Sequence, residues 1–210
     1  MILNEISEAL QKGDAGLITE LVEKAIADGI SPKSILEEGL LKGMDVVGEK
    51  WKNQEFFVSE VLVAARALNA ASAILKPLLA DAGVVSRGRV CLGTVKGDLH
   101  DIGKNLVKMM MEGLGLEVID IGIDAPADLF VSTAVEKDCQ VIACSALLTT
   151  TMAEFQNVID AAVSAGIRDK VKIMVGGAPV TQEFCDVVGA DFYSPDAAAA
   201  AEAAVAMCKA

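Results

Sequence analysis

Short apolar runs alternate with helical stretches through the second half of the chain, and this alternation limits the fold more than any other feature. Five runs are predicted to be strands: 90–95, 117–121, 141–144, 171–175 and the short ADFYS at 190–194. The helices that follow them are predicted to begin near Ile102, Pro126, Thr150, Val180 and Asp196. Such βα units predict an α/β fold with a doubly wound, five-stranded parallel sheet in flavodoxin-like (Rossmann-like) order.

The first part of the chain has helical periodicity instead. Four stretches carry it: NEISEALQKG, DAGLITELVEKAIADG, SPKSILEEGLLKGMDVVGEKW and VSEVLVAARALNAASAILKPLLADAG. Asp14 and Ser31 are expected to cap helix N-termini, Pro32 suits a first helical position, and Gly13 and Gly29 suit C-terminal caps. Four helices joined by short turns predict a small antiparallel four-helix bundle.

The change of pattern near residues 82–88 predicts two domains. We assign the helical bundle to 1–84, a linker to 85–88 and the α/β domain to 89–210. The segment 81–88, which contains Gly83 and Gly88, is the candidate hinge. The alanine-rich tail DAAAAAEAAVAMCKA is expected to form the last covering helix of the sheet.

Composition argues against several classes of protein. The formal charge of -12 speaks against a nucleic-acid partner, because phosphates are bound by clustered Lys and Arg. No apolar run reaches the roughly 18 residues of a spanning helix, and the acidic N-terminus does not resemble a signal peptide. We therefore expect a cytoplasmic protein with no membrane partner. The five cysteines form no CxxC pair and are expected to be reduced thiols.

The chain has a single histidine, His100, in the stretch VKGDLHDIGKN at 95–105. This stretch follows the first predicted strand, and CSALLTT and VGGAP follow the third and fourth. Ligands of open α/β sheets bind beyond the carboxyl ends of the strands. The three polar or glycine-rich loops are therefore expected to converge on one pocket.

Three interpretations of His100 follow from the residues alone. It could be a structural loop residue with a satisfied hydrogen bond, or a general base that Asp98 orients. As a metal ligand it would need help, because zinc sites usually take three or four protein ligands and this chain has one histidine. A single imidazole suffices only when a cofactor such as a haem or a corrinoid supplies the other ligands.

Three short motifs lie in order along the chain, each at the end of a predicted strand. They are D-x-H-x-x-G at Asp98, His100 and Gly103, S-x-L at Ser145 and Leu147, and GG at Gly176 and Gly177. This set resembles the cobalamin-binding domains of methionine synthase, of base-off mutases and of the corrinoid proteins of anaerobic methyltransferase systems.

The resemblance implies a base-off cobalamin or related corrinoid, with cobalt bound by His100 through Nε2 as lower axial ligand. Asp98 would then fix the imidazole tautomer, and Ser145 would extend that relay. Asp101 is expected to cap the following helix. The cofactor-binding positions that the resemblance implies in this domain are Asp98, His100, Asp101, Ile102, Gly103, Ser145, Leu147, Thr149, Gly176 and Gly177.

The small and apolar members of this set would make room for the nucleotide tail of the corrinoid. Gly103 would open the first helix, Gly176 and Gly177 would leave space for the lower base, and Leu147 would line the tail tunnel. For single loop glycines, ordinary turn chemistry explains the residue equally well.

The stretch WKNQEFFVSEVLVAARALNAA resembles the segment with which a helical bundle caps the upper corrin face in methyl-transfer corrinoid proteins. Those proteins commonly have proline where this chain has Ser59, although serine is itself a good N-cap. The candidates for the cap are Phe56, Phe57, Val61 and Leu62, and the alternative for each is plain bundle core.

The resemblance implies a corrinoid methyl carrier rather than a self-sufficient enzyme. Cob(I)alamin would take a methyl group from a donor on a substrate-specific methyltransferase, and a second methyltransferase would pass it to tetrahydrofolate or a thiol such as coenzyme M. A reductive activator is a further implied partner. Mutase subunits and cobalamin-responsive regulators are alternatives, as is a corrinoid-free flavodoxin-like enzyme that uses Asp98, His100 and Asp101 as acid and base.

Overall fold

The computed structural model describes residues 2–81 and 86–209. The chain forms two compact units: Met1–Val85 with Glu112–Gly115, and Ser86–Met111 with Leu116–Ala210. Residues 82–85 of the candidate hinge, Gly83 among them, lie outside the described residues, so the hinge and the bounds of the linker stay predictions.

The helical unit contains the four predicted helical stretches. Its elements are α1 (Ile2–Gln11), α2 (Ala15–Ala27), α3 (Pro32–Ser34), a π-helical segment (Ile35–Leu41), α4 (Lys42–Lys52) and α5 (Val58–Asp81). The third stretch is one continuous helical path from α3 through the π-helical segment into α4. This interruption is a difference from the uniform helix that the sequence predicts.

The predicted helix ends in this unit are confirmed. The Asp14 carboxylate accepts a hydrogen bond from the Leu17 N–H at 3.0 Å, and the Ser31 hydroxyl accepts one from the Ser34 N–H at 3.1 Å. Gly13 and Gly29 follow helices with left-handed φ values of +68° and +80°. Side-chain caps and glycine stops therefore set where these helices begin and end.

Two glycines let α1 approach the helix that runs through the π-helical segment. A Cβ on Gly39 would lie 3.0 Å from Ile6 Cγ2, and a Cβ on Gly43 would lie 2.7 Å from Leu10 Cδ2 and 3.1 Å from the Ser7 Cα. Because part of the Gly43 contact is with backbone, neighbouring side chains cannot relieve it by changing rotamer. The four-residue spacing places both glycines on the helix face that α1 covers.

Helix α5 departs from the expectation that no apolar run is long enough to span a membrane, because its stretch Val58–Leu79 is long and apolar enough to do so by length and composition. Helices in protein cores can be equally long and apolar, and 39% of the most apolar part of this stretch is buried. Ala64, Ala65 and Leu68 of this helix are at most 1% exposed. Packing inside the protein therefore accounts for the apolar character of this buried face of α5.

We predict that Gly43→Ala destabilises the protein by about 1–2 kcal/mol, since overpacking against backbone costs more than the helix propensity gained. Gly16→Ala in α2 is the matched control, because its Cβ would have only an ordinary contact, 3.6 Å from Asp14 Oδ1. Urea denaturation of both variants measures the difference. Equal stability of the two variants would show that the close approach of α1 does not depend on Gly43.

The second unit contains the predicted five-stranded parallel sheet. Its strands are β1 (Arg89–Thr94), β2 (Glu117–Asp120), β3 (Val141–Ser145), β4 (Lys172–Gly176) and β5 (Phe192–Ser194). They are all parallel and lie in the order β2-β1-β3-β4-β5. This order confirms the flavodoxin-like fold class.

Helices cover both faces of this sheet. They are α6 (Ile102–Gly113), α7 (Ala127–Glu136), α8 (Glu154–Ser164), α9 (Gln182–Val188) and α10 (Ala197–Cys208). Phe130 of α7, Phe155 of α8 and Cys185 of α9 share one buried cluster with strand residues such as Ile142 and Ile173. All five cysteines are free thiols, as expected, and burial raises the pKa of Cys91 to about 12.

Two helices start later than the sequence predicts. Helix α8 begins at Glu154 rather than near Thr150, because the residues before it form a turn in which the Thr151 N–H donates to the Leu148 carbonyl at 3.0 Å. Helix α9 begins at Gln182 rather than near Val180, with the Thr181 hydroxyl as its N-cap.

The carboxyl ends of four strands lie side by side. Thr94 of β1 pairs in register with Ser145 of β3, Ser145 with Gly176 of β4, and Gly176 with Ser194 of β5. The loops that leave these strands therefore start at one level of the sheet. This register brings together the three loops that the sequence singles out.

Candidate functional site

Asp98 lies at the centre of the site, and its side chain is fully buried. Its Oδ1 accepts a hydrogen bond from the His100 N–H at 3.1 Å and contacts Nδ1 of the His100 ring at 2.7 Å. The predicted pairing of Asp98 with the imidazole is therefore present in the structure.

The other carboxylate oxygen of Asp98 reaches the loop that follows β3. Asp98 Oδ2 accepts hydrogen bonds from the Leu147 N–H at 2.8 Å, the Leu148 N–H at 3.2 Å and the Thr151 hydroxyl at 2.8 Å. One carboxylate thus joins the loop after β1 to the loop after β3. Its capacity to accept hydrogen bonds is taken up by these protein donors.

These contacts keep Asp98 ionised. Burial by itself raises the pKa of Asp98, but hydrogen bonds from His100, Leu147 and Thr151 outweigh that effect and hold the pKa well below its usual range. The ordinary pKa of aspartate, about 4, applies to the unfolded chain. The stability that the Asp98 carboxylate contributes is therefore complete above that pH, and it is lost as the pH falls through the lower pKa of the folded state.

An ionised carboxylate fixes the tautomer of the imidazole. Because ionised Asp98 Oδ1 can only accept, Nδ1 of His100 carries a hydrogen, and in the neutral form of the ring the lone pair is therefore on Nε2. The His100 side chain is 50% exposed, so the ring is accessible at the edge of the sheet. In that neutral form, the ring offers Nε2 as a nitrogen ligand to an incoming metal.

Large apolar side chains are exposed on the loops after β1 and β3, at the start of α6 and in the segment after β2. Between 41% and 86% of each is accessible in Leu99, Ile102, Ile123, Leu147 and Leu148. Soluble proteins seldom leave such a group of apolar side chains uncovered unless it binds a partner or ligand. The surface around the imidazole therefore suits a broad apolar group.

A cavity of about 310 Å³ lies on the sheet face next to these loops. Leu92, Ala143 and Met174 form its floor on β1, β3 and β4, and α6 and α10 contribute walls. Ala197 and Ala200 of α10 line it with small side chains. The alanine-rich tail is therefore the predicted covering helix, and its small residues leave space over the sheet.

Four residues named by the motifs share this cavity: Gly103, Ser145, Gly176 and Gly177. A Cβ on Gly103 would meet nothing within 4 Å, so a side chain there would project into open space. A Cβ on Gly177 would overlap the Ala146 carbonyl, and its φ of +135° also favours glycine. The backbone conformation and the close contact with Ala146 thus require glycine at Gly177. At Gly103, the absence of a side chain leaves space in the cavity.

The remaining motif residues lie at the rim of the site. The Leu147 N–H binds Asp98 while its side chain is exposed, and Thr149 is exposed in the turn before α8. The Asp101 carboxylate accepts a hydrogen bond from the Asn105 side-chain amide at 3.0 Å, and Ile102 begins α6. Capping of α6 by Asp101 stays a prediction.

The sequence does not single out Thr151, although its hydroxyl reaches Asp98. Ser145, the residue expected to extend the relay, lines the cavity, and its role in proton transfer stays a prediction. Thr151 is 53 residues from Asp98 along the chain. No local motif marks this contact; it depends on how the turn before α8 folds.

A buried ion pair fixes the first turn of α6 next to the site. Lys104, which is 3% exposed, donates to both carboxylate oxygens of Asp120 at 2.7 and 2.8 Å, and to Asn105 Oδ1 at 2.9 Å. Burial raises the pKa of Asp120, but the Lys104 ammonium outweighs this effect and lowers it. The start of α6 is thereby tied to the end of β2.

The aromatic candidates in the helical unit are accessible. Phe57 is 70% exposed, and the ring of half-buried Phe56 lies 4.9 Å from Lys50 Nζ. Val61 is only 3% exposed and Leu62 is half-buried. Val61 therefore fits the bundle-core alternative, whereas Phe57 is available to a ligand.

The start of α5 differs from the expectation for Ser59. Helix α5 begins at Val58, so Phe57 occupies the N-cap position and Ser59 lies inside the first turn. Glu60 Oε2 accepts hydrogen bonds from the Phe57 N–H and the Ser59 hydroxyl, both at 3.0 Å. The capping contact comes from Glu60, as in one half of a capping box.

Both units match known protein families. A family model described as the B12 binding domain matches residues 88–206, and a second model with the same description matches residues 2–76. A corrinoid protein of Desulfitobacterium hafniense is 39% identical over 206 residues, 97% of this chain and 95% of that relative. Trimethylamine corrinoid protein 1 of Methanosarcina acetivorans is 41% identical over 198 residues, 93% of this chain and 92% of that relative.

Solved structures agree with this result. A cobalamin-binding protein from Desulfitobacterium hafniense has a TM-score of 0.77 and 34% identity, covering 98% of each chain. The methanol:cobalamin methyltransferase complex of Methanosarcina barkeri has a TM-score of 0.87 and 28% identity, covering 99% of this chain and 80% of the matched chain.

The sheet, the exposed imidazole and these matches define a cobalamin-binding protein that takes a corrinoid cofactor. The chain belongs to the family of corrinoid proteins that serve methyltransferases. The site residues fit such a cofactor, since a free nitrogen ligand stands among apolar side chains beside a cavity. Among the described residues, no group of three or more His, Cys, Asp or Glu could hold a metal alone.

We predict that Asp98→Asn switches the imidazole tautomer. The amide oxygen would turn to the three donors on the β3 side and the His100 N–H would lose its acceptor; the NH2 would then face the ring, which keeps Nδ1 unprotonated and carries its hydrogen on Nε2. Because the chain has one histidine, ¹⁵N NMR of the apoprotein reports this site alone. Asp101→Asn is the matched control, and retention of the Nδ1–H form in Asp98→Asn would contradict the tautomer assignment.

Proposed function

We propose that the chain is a corrinoid methyl carrier, loaded by one methyltransferase and unloaded by another. The observation that carries this proposal is the accessible Nε2 of His100, fixed by a buried, ionised Asp98 at the edge of a B12-binding sheet. Relatives named as corrinoid proteins of methylamine systems support it, since they align over more than nine-tenths of the chain.

His100 is proposed to be the lower axial ligand of a base-off corrinoid. The displaced nucleotide tail would occupy the cavity bounded by α6 and α10, where Gly103 leaves room at the helix start. The apolar side chains around the imidazole would lie against the corrin ring. When bound, the corrinoid supplies the cobalt nucleophile that accepts and releases the methyl group.

The residues of this chain have a supporting role in that chemistry. The Asp98 carboxylate orients the imidazole and increases the basicity of Nε2 through the Nδ1 hydrogen bond. Its Oδ2 contacts hold the loop after β3 next to the ligand loop, so both surround one site. The chain therefore binds, orients and tunes the cofactor.

The geometry disfavours Asp98 itself as the acid or base of a corrinoid-free enzyme, and the match to the B12 binding domain, rather than the geometry, speaks against His100 in that role. Asp98 accepts five hydrogen bonds from protein donors and has a lowered pKa, so it is a poor proton acceptor for a substrate. The mutase and regulator alternatives are less favoured, because named relatives that span nearly the whole chain are corrinoid proteins.

A methyltransferase partner is supported by the match to a methanol:cobalamin methyltransferase complex. The second methyltransferase, with tetrahydrofolate or a thiol as acceptor, and a reductive activator complete the proposal. A place in anaerobic one-carbon metabolism and a cytoplasmic location stay predictions, as do the cap residues in the helical unit.

We predict that His100→Ala abolishes nitrogen ligation of the bound corrinoid. The reconstituted protein should lose the ¹⁴N superhyperfine splitting of its Co(II) electron paramagnetic resonance spectrum, and affinity should fall by roughly tenfold or more. Lys96→Ala, at an exposed position in the same loop, is the matched control. Unchanged splitting in His100→Ala would remove His100 from the lower axial position.

We predict that the reconstituted, reduced protein becomes methylated only with its cognate methyltransferase and one class of donor. Methylamines come first in the test, because similar proteins are named trimethylamine and dimethylamine corrinoid proteins. Methanol, betaines and aryl methyl ethers complete the panel, and methylation is followed by absorption spectroscopy. A protein that binds corrinoid stoichiometrically yet accepts no methyl group from any donor would contradict the carrier role.

A further inference from the structure

The main chain of the His100 loop is held by residues outside the binding motifs. This inference rests on the proposed function, because it assigns roles in presenting His100 to the corrinoid. Two side chains carry it: Thr94, which ends β1, and Asp124, in the segment between β2 and α7.

Thr94 is fully buried, and its hydroxyl donates to the His100 carbonyl at 2.9 Å. The backbone of Thr94 is itself fixed on both sides. Its N–H donates to the Gly122 carbonyl at 3.0 Å, and its carbonyl accepts from the Ala125 N–H at 3.0 Å. The hydroxyl therefore links the carbonyl of His100 to the interior of the sheet.

Asp124 forms two hydrogen bonds with the first half of the same loop. Its Oδ1 accepts from the Gly97 N–H at 2.7 Å, and its own N–H donates to the Asp98 carbonyl at 3.0 Å. Asp124 adopts a left-handed φ of +52°, a conformation that Asp and Asn enter more readily than other residues with a side chain. In this conformation its side chain and its own N–H both contact the loop that carries His100.

Thr94 and Asp124 contact only the main chain of the loop. Asp98 binds both Nδ1 and the backbone N–H of His100, whereas Thr94 and Asp124 bind other backbone groups of His100, Gly97 and Asp98. We infer that Thr94 and Asp124 are positioning residues, which keep the His100 main chain in place whether or not Nε2 has a ligand. The orientation of the imidazole thus depends on three elements of the sheet edge rather than on Asp98 alone.

Matched pairs of variants separate the hydrogen bonds from size and strain. Thr94→Val removes the hydroxyl at nearly constant volume, and Thr94→Ser keeps it. Asp124→Gly tolerates the left-handed φ but removes the acceptor, whereas Asp124→Asn tolerates that φ and keeps an acceptor oxygen. Thr133→Val, at another buried threonine of the same unit, is the control for loss of a hydroxyl.

The first measurement is the Co(II) electron paramagnetic resonance spectrum of the corrinoid-loaded proteins. We expect Thr94→Val and Asp124→Gly each to lower the ratio of histidine-bound to histidine-free cobalt by about fivefold, the effect of losing one ordinary hydrogen bond. Thr94→Ser, Asp124→Asn and Thr133→Val should stay within about twofold of the unmodified protein. Unchanged ratios in Thr94→Val and Asp124→Gly would overturn the inference, as would equal losses in the rescue variants.

The second measurement uses the apoprotein and does not depend on cobalt ligation. Amide hydrogen exchange at Gly97 should accelerate by about fivefold in Asp124→Gly, because that N–H loses its acceptor. Exchange at His100 should accelerate in Thr94→Val, because its N–H keeps Asp98 as acceptor but the main chain is no longer held at the carbonyl, and the rescue variants should keep protection. Unchanged amide exchange at Gly97 in Asp124→Gly and at His100 in Thr94→Val would again overturn the positioning role. If the unmodified protein itself lacks nitrogen splitting, the axial-ligand proposal fails, and the exchange rates still decide the role of Thr94 and Asp124.

Discussion

The Asp98 carboxylate is the contact on which the site depends most. It is buried, and it remains ionised because the main chain of two loops, the imidazole and a hydroxyl all donate to it. Each of these donors would lose its acceptor if the carboxyl group were removed, which is why the loops and the ring behave as one unit. The carboxylate thereby converts two separate strand ends into a single site.

The cavity beside this contact has a different physical origin. The cavity exists because small residues line it on the covering helix and at a strand end, where larger side chains would fill the space. Ala200 on α10 and Gly176 on β4 are examples. Its floor is apolar, so an aromatic lower base would gain free energy by leaving water. The polar ligand loop and the apolar cavity together match a cofactor that has a metal and an aromatic tail.

Much of this arrangement follows from the sequence alone. The alternation of strands and helices predicts the sheet and its edge, and the spacing of Asp98 and His100 predicts their hydrogen bond. Thr151 and Asp124 could not be predicted in the same way, because their contacts join segments distant in the chain and depend on loop conformation. The late start of α8 has the same cause. Local helix propensity cannot show that the residues before α8 form a turn that donates hydrogen bonds to the buried Asp98 carboxylate.

The close contact between Gly177 and Ala146 limits how far apart the loops after β3 and β4 can lie. There the loops after β3 and β4 meet through main-chain atoms, and the Ala146 N–H donates to the Gly176 carbonyl at 3.1 Å. The separation of the two loops therefore requires glycine at Gly177 but depends little on the other side chains that line the cavity. Under the proposed function, substitutions at those other positions would reshape the space for a different aromatic tail without moving the two loops apart.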